Sequence, residues 1–103
     1  PKRLKNTYER FDFFKQSTFT FEQADTDTFR NLALAFEALK AGGNMPCIIN
    51  AANEVAVSRF LKGEIGFLDI AEIIEACMTK VSYIAKPALN DYILTDEVCR
   101  KEA

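Results

Sequence analysis

GGNMPCIINAANEVAVSRF, residues 42–60, decides how the rest of the chain folds. Gly42 and Gly43 end one helix, and Pro46 suits the first turn of the next. From Ile48 to Leu61 apolar residues occupy too many sides for a surface helix, so the stretch predicts a central one. At about 100° per residue, Ile49, Asn53, Ala56, Val57 and Phe60 share one broad face, with Asn50 and Glu54 on its flank. Ser58, Arg59 and Lys62 fall opposite. The pattern sets an amide, Asn53, in the middle of the face expected to be most buried. A buried amide without a partner costs about 1 to 3 kcal/mol, so Asn53 is expected to bond to a loop or a neighbouring helix end. The competing reading makes Asn50, Asn53 and Glu54 a polar cluster for a substrate or metal. One carboxylate and two amides, with no histidine or second acid close in sequence, make a weak metal set.

A glycine pair ahead of a helix also suggests a phosphate cradle, because free amides and the positive helix end attract anions. No GxGxxG or GK[ST] accompanies it and no strand precedes it, so the signal is weak.

On the amino-terminal side, Asp25, Thr26 and Asp27 offer cap chemistry for a helix running to about Ala41. Its expected core stripe is Phe29, Leu32, Ala33, Phe36 and Leu39. Before it, Phe11, Phe13, Phe14, Phe19 and Phe21 place five of nine phenylalanines within eleven residues, and Thr18 to Glu22 alternates as a strand does. A lone strand cannot pair its own backbone, and nothing later supplies a sheet. Either the segment lies across the helices, or its partner lies outside this sequence. Pro1 to Arg10 is basic and polar with little to bury, and is expected to be mobile.

On the carboxy-terminal side, Gly63 to Gly66 turns the chain, with Asp69 a plausible cap for a third helix. Ile70, Ile73, Ile74, Cys77, Met78 and Val81 recur at helical spacing opposite Glu72, Glu75, Thr79 and Lys80. Cys77 and Met78 sit within that stripe and read as packing. Pro87 opens a short helix over Ala88 to Leu94 with Leu89, Tyr92 and Ile93 facing in, and Thr95 starts a last turn or two. The expected fold is mainly α, a small bundle of about four helices over 25–103, preceded over 1–24 by a linker and an extended aromatic β-type segment.

Composition narrows the function. The 103 residues suit one domain, able to bury roughly two-thirds of the unfolded surface. A net charge of −2 with dispersed basic residues leaves no footprint for nucleic acid. Cys47, Cys77 and Cys99 form no CxxC pair and suit reduced thiols in a cytoplasmic protein, and no run of apolar residues is long enough for a membrane span. The absence of histidine rules out Ser-His-Asp, Cys-His and HExxH chemistry within these residues.

FDFFKQSTFTFEQAD (Phe11–Asp25), LALAFEALKAGGNMP (Leu32–Pro46), NAANEVAVSRFL (Asn50–Leu61) and IGFLDIAEIIE (Ile65–Glu75) together resemble, in order, the carboxy-terminal portion of the 1-deoxy-D-xylulose 5-phosphate reductoisomerases. NAANEVAV beside the double glycine is the specific part. The resemblance implies a chain about four times longer, with an amino-terminal domain for NADPH and a middle catalytic domain holding a divalent metal, Mg or Mn, and the substrate. It implies isomerisation of the linear sugar phosphate and reduction to 2-C-methyl-D-erythritol 4-phosphate in isoprenoid biosynthesis. The family's cofactor loop, metal carboxylates and histidine-bearing flap lie upstream of the matching portion. No catalytic, cofactor-binding or metal-binding residue is therefore expected here, and Asn50, Asn53 and Glu54 are expected to fasten the domain internally. The segment 11–22 is expected to join the catalytic domain's sheet; in isolation its rings should be exposed, leaving it disordered or pairing two copies as a homodimer. The alternative from a different class is a free-standing helical protein-interaction module.

Overall fold

A computed structural model describes residues 2–103, and the described residues form four helices. They are α1 (Arg30–Ala41), α2 (Met45–Leu61), α3 (Asp69–Lys80) and α4 (Leu89–Glu102). The mainly α expectation holds. α2 is the hub: α3 and α4 pack on it most extensively, and α1 leans on α2 and, more lightly, on α3.

The buried face of α2 is Ile48, Ala51, Ala52 and Ala56, not the face centred on Asn53. Of the expected face only Ala56 is buried; Ile49 and Val57 are half-buried, and Asn53 and Phe60 are exposed. The physical reason is size. Alanines let neighbouring backbones come close, so the side that takes two packed helices is the one with small side chains. Leu34 from α1, Ile70, Ile74 and Cys77 from α3, Val81 just beyond it and Cys99 from α4 fill the space around those alanines.

The same inversion occurs in α1. Leu34 and Ala38 are buried, whereas Phe29, Leu32, Phe36 and Leu39 of the expected core stripe are exposed. The helix is apolar on two sides and periodicity marks only the larger one. α1 begins at Arg30, and the Asp25 carboxylate accepts the amides of Asp27 (3.1 Å) and Thr28 (2.9 Å) in the turn ahead of it. α3 matches expectation: Ile70, Ile74, Cys77 and Val81 are buried, and Ile73 and Met78 are half-buried. Asp69 is its first residue and accepts the Gly66 amide (2.8 Å). α4 is one continuous helix rather than a short helix and a final turn. It buries Thr95 and Cys99, while Leu89, Tyr92 and Ile93 are exposed.

Residues 2–29 contain no helix or strand; residue 1 of the amino-terminal stretch lies outside the described residues. The aromatic segment folds back on itself rather than extending. Asp12 accepts the amides of Phe14 (2.8 Å) and, through its carbonyl, Gln16 (3.0 Å), and the turn lets Phe11 stack on Phe19 at 5.9 Å and meet Phe13 edge-on at 4.8 Å. Phe14 and Phe21 remain almost wholly exposed.

The buried amide of this protein is Asn44, which is fully inaccessible. Its Nδ2 donates to the Ser82 carbonyl (3.0 Å) and to Thr95 Oγ1 (3.1 Å), and its Oδ1 accepts the Ile84 amide (2.8 Å). Its backbone amide donates to the Ile84 carbonyl (3.0 Å). One residue thus ties the α1–α2 turn to the α3–α4 connector and to the middle of α4. The approach is close enough to require glycine beside it: Gly43 has φ +56°, and a Cβ there would land on the Ile84 carbonyl oxygen. Tyr83 Oη donates to the Ala41 carbonyl (2.7 Å), closing the same junction from the end of α1.

Cys99 Sγ donates to the Ile48 carbonyl (3.2 Å) at the α2–α4 contact. Burial, reinforced by the neighbouring Cys77 thiol, pushes the Cys99 thiol up to about 12.

Two outcomes follow. Asn44→Ala removes three side-chain bonds and leaves the buried Thr95 hydroxyl and the part-buried Ile84 amide and Ser82 carbonyl without their partner, so it should cost about 3 kcal/mol in urea unfolding, against less than about 0.5 kcal/mol for exposed Asn53→Ala. Equal costs would show that Asn44 does not fasten the fold. Because the Cys99 thiol stays neutral when folded but ionises from about 9.0 when unfolded, its stabilisation is complete below that pH and is lost as pH rises towards about 12. The urea midpoint should therefore drop on going from about pH 8 to pH 10, and drop less in Cys99→Ala.

Candidate functional site

α2 carries the residues singled out by their chemistry: Glu54 reaches α4, Asn53 faces the groove beside α1, and Asn50 borders both. Asn50 Nδ2 donates to Glu54 Oε1 (3.1 Å) one turn along the helix. Arg100 of α4 reaches the other carboxylate oxygen, Nη2 to Glu54 Oε2 at 2.6 Å, while its Nε bonds Asp96 Oδ2 at 2.7 Å. These four side chains form a solvent-facing chain of bonds from α2 to α4. The Arg100 hydrogen bond, then the one from Asn50, holds the Glu54 carboxyl below its usual range; the two carboxylates raise the Arg100 guanidinium further still. A carboxylate whose oxygens are both engaged and whose proton affinity is lowered is a poor general base. Asn53 does not join them.

Asn53 instead lines an open groove between α1 and α2, together with Asn50, Ala35, Leu39, Pro46 and Ile49. The walls are apolar and carry no charged side chain. Nothing on them can neutralise a phosphate or transfer a proton.

The phosphate-cradle reading of the double glycine is answered by bond partners. The Asn44 amide is given to Ile84 and the Met45 amide to the Gly42 carbonyl (3.1 Å), and Tyr92 Oη donates to the Gly43 carbonyl at 3.4 Å. Two of the amides that would face an anion at the start of α2 are thus used by the fold, and Pro46 has none to offer.

Among the described residues no three cysteine, aspartate or glutamate side chains gather as a metal set, and no helix is long and apolar enough to cross a membrane. Cys77 and Cys99 are buried with raised thiol pKa values, and half-buried Cys47 is raised by the same desolvation. High pKa and burial keep thiols unreactive. The residue that spacing missed is Asn44. Its available signal was position: a polar residue between helix-ending glycines and a helix-starting proline, where turn amides and carbonyls need partners.

Comparison with known proteins identifies the architecture. Residues 1–102 match the family model described as the DXP reductoisomerase C-terminal domain. The chain is 54% identical over 103 residues to the 1-deoxy-D-xylulose 5-phosphate reductoisomerase of Phocaeicola vulgatus, covering all of this chain and 27% of that protein. It is 50% identical to the enzyme of that name from Bacteroides fragilis, covering 26% of it. Among solved structures, the 1-deoxy-D-xylulose 5-phosphate reductoisomerase from Zymomonas mobilis in complex with NADPH superposes with a TM-score of 0.83 at 42% identity, over 99% of this chain and 27% of that one. The chain spans about a quarter of the length of these relatives. With its four helices accounted for along their whole length, this chain belongs to the DXP reductoisomerase C-terminal domain family.

Proposed function

We propose that these residues serve as the supporting helical domain of a longer, NADPH-dependent 1-deoxy-D-xylulose 5-phosphate reductoisomerase, a cytoplasmic enzyme of isoprenoid biosynthesis, and that they carry no chemistry themselves. The observation behind this is the superposition of nearly the whole chain on about a quarter of an NADPH-bound reductoisomerase. In this reading 25–103 is the supporting domain and 1–24 the segment that joins it to the catalytic part. The exposed rings of Phe14 and Phe21 supply apolar surface for that junction, or for a homodimer through 11–22.

The residues present do not fit the cofactor or the metal. Among the described residues no glycine-rich loop follows a strand, the Asn44 and Met45 amides at the start of α2 are spent on Ile84 and Gly42, the α1–α2 groove has no cation for a phosphate, and no carboxylate set gathers for Mg or Mn. Both groups belong to the rest of the longer chain, and no step of the reaction runs through these side chains. What the domain contributes is a rigid body: the Asn44 junction and the Glu54–Arg100–Asp96 bonds fix α4 against α2.

The test is a pair of assays following NADPH oxidation with 1-deoxy-D-xylulose 5-phosphate and Mg or Mn present. The full-length chain should turn over and the 103-residue chain should not. Turnover by the 103 residues alone would end the claim that they lack chemistry; silence from the full-length chain would end the assignment of activity.

A further inference from the structure

α1 is apolar on opposite sides. Leu34 and Ala38 face the core, while Phe29, Leu32, Phe36 and Leu39 face out. A helix with apolar residues on both faces is expected between two bodies, and the fold supplies only one of them. On the outer side α1 and α2 flank an open recess of about 320 Å³ lined by Ala35, Leu39, Pro46, Ile49, Asn50 and Asn53. The lining holds no charge, which disfavours a nucleotide or sugar phosphate. It does hold two primary amides, each carrying a donor and an acceptor, and such groups can pair with the N–H and C=O of a passing peptide.

We propose that this recess is where the remaining part of the longer reductoisomerase chain docks, laying apolar side chains against Leu39, Pro46 and Ile49 and giving backbone groups to Asn50 and Asn53. The inference rests on the reading of the chain as one domain of that enzyme. The occupant is identified by length: nearly three quarters of each relative lies outside the match, so a large body of the same polypeptide accompanies this one. That body is tethered through residues 2–29, which lead directly into α1, so it is held near the recess at high effective concentration. On α4 the exposed apolar side chains Leu89, Ile93, Leu94 and Val98 are interleaved with Asp91, Asp96, Glu97 and Arg100, and Leu94 and Val98 border only a smaller recess of about 160 Å³ whose lining includes the acidic Asp91.

Docking predicts protection that the domain by itself does not provide. Leu39 is 74% exposed and Leu94 is 60% exposed, so without a docked body a thiol at 39 would react at least as fast as one at 94. In the full-length chain, Leu39→Cys should react with a maleimide reagent at least about tenfold more slowly than Leu94→Cys, after subtraction of the parent chain's own thiols, and the two rates should converge in urea. Equal native rates, or faster reaction at 39, overturn the proposal even if the enzyme turns over. Protection at 39 that vanishes on dilution also overturns it, in favour of a second copy on that face. Should Leu39→Cys alter the far-ultraviolet circular dichroism, Asn53→Cys is read the same way. Loss of the reductoisomerase assignment would show instead as a full-length parent without turnover, an outcome independent of the labelling ratio.

Discussion

The hydrogen bonds of Asn44 hold two otherwise separate halves of the chain together. The α1–α2 turn and the α3–α4 connector each expose backbone groups that their own elements cannot satisfy. One side chain meets both needs, because an amide carries donors and an acceptor on a short stem. With Ile84 and Asn44 exchanging backbone and side-chain bonds, and Thr95 held from the third direction, the connector cannot drift from the turn without breaking several hydrogen bonds of the buried Asn44 at once. Gly43 completes the constraint by leaving room for the Ile84 carbonyl where any other residue would place a methyl group or more.

Around that junction the helices are arranged by size as much as by hydrophobicity. α2 turns its small side chains inward and leaves Phe60, Asn53 and Leu61 outside; α1 turns in Leu34 and Ala38 and leaves its larger apolar residues exposed. Both outcomes make sense if the domain has a second apolar surface reserved for covalently linked neighbours. The polar bonds across the surface, Glu54 with Arg100 on one side and Arg30 with Glu37 and Glu75 on another, add orientation more than stability, since exposed pairs contribute little.

How much of this was legible in the sequence differs by element. α3 was readable in full because its apolar stripe faces an unbroken run of charged and polar residues, so only one burial pattern is consistent with it. α1 and α2 gave their positions and lengths but not their orientation. Periodicity weighs Phe and Ile above Ala, and in a domain with two apolar surfaces the heavier face need not be the interior one. The aromatic segment announced its unmet need for a partner, and the folded-back cluster of Phe11, Phe13 and Phe19 is its local response. Asn50 and Glu54 were rightly grouped, but their third member, Arg100, lies 46 residues away and nothing local announces it. Family membership came from the motif NAANEVAV and its order among the other stretches, which no composition or spacing argument could have supplied.

The alanine face of α2 has a further effect on how the domain meets heat and mutation. Alanine has no rotamers to surrender on folding, so Ala51, Ala52 and Ala56 bring helices into contact with almost no loss of side-chain entropy. At the centre of the domain the α2 backbone is consequently held close to the Leu34, Ile70 and Ile74 side chains of its neighbours. Enlarging any of these three positions to valine or leucine would press on Leu34, Ile70 and Ile74 and force the packed helices apart.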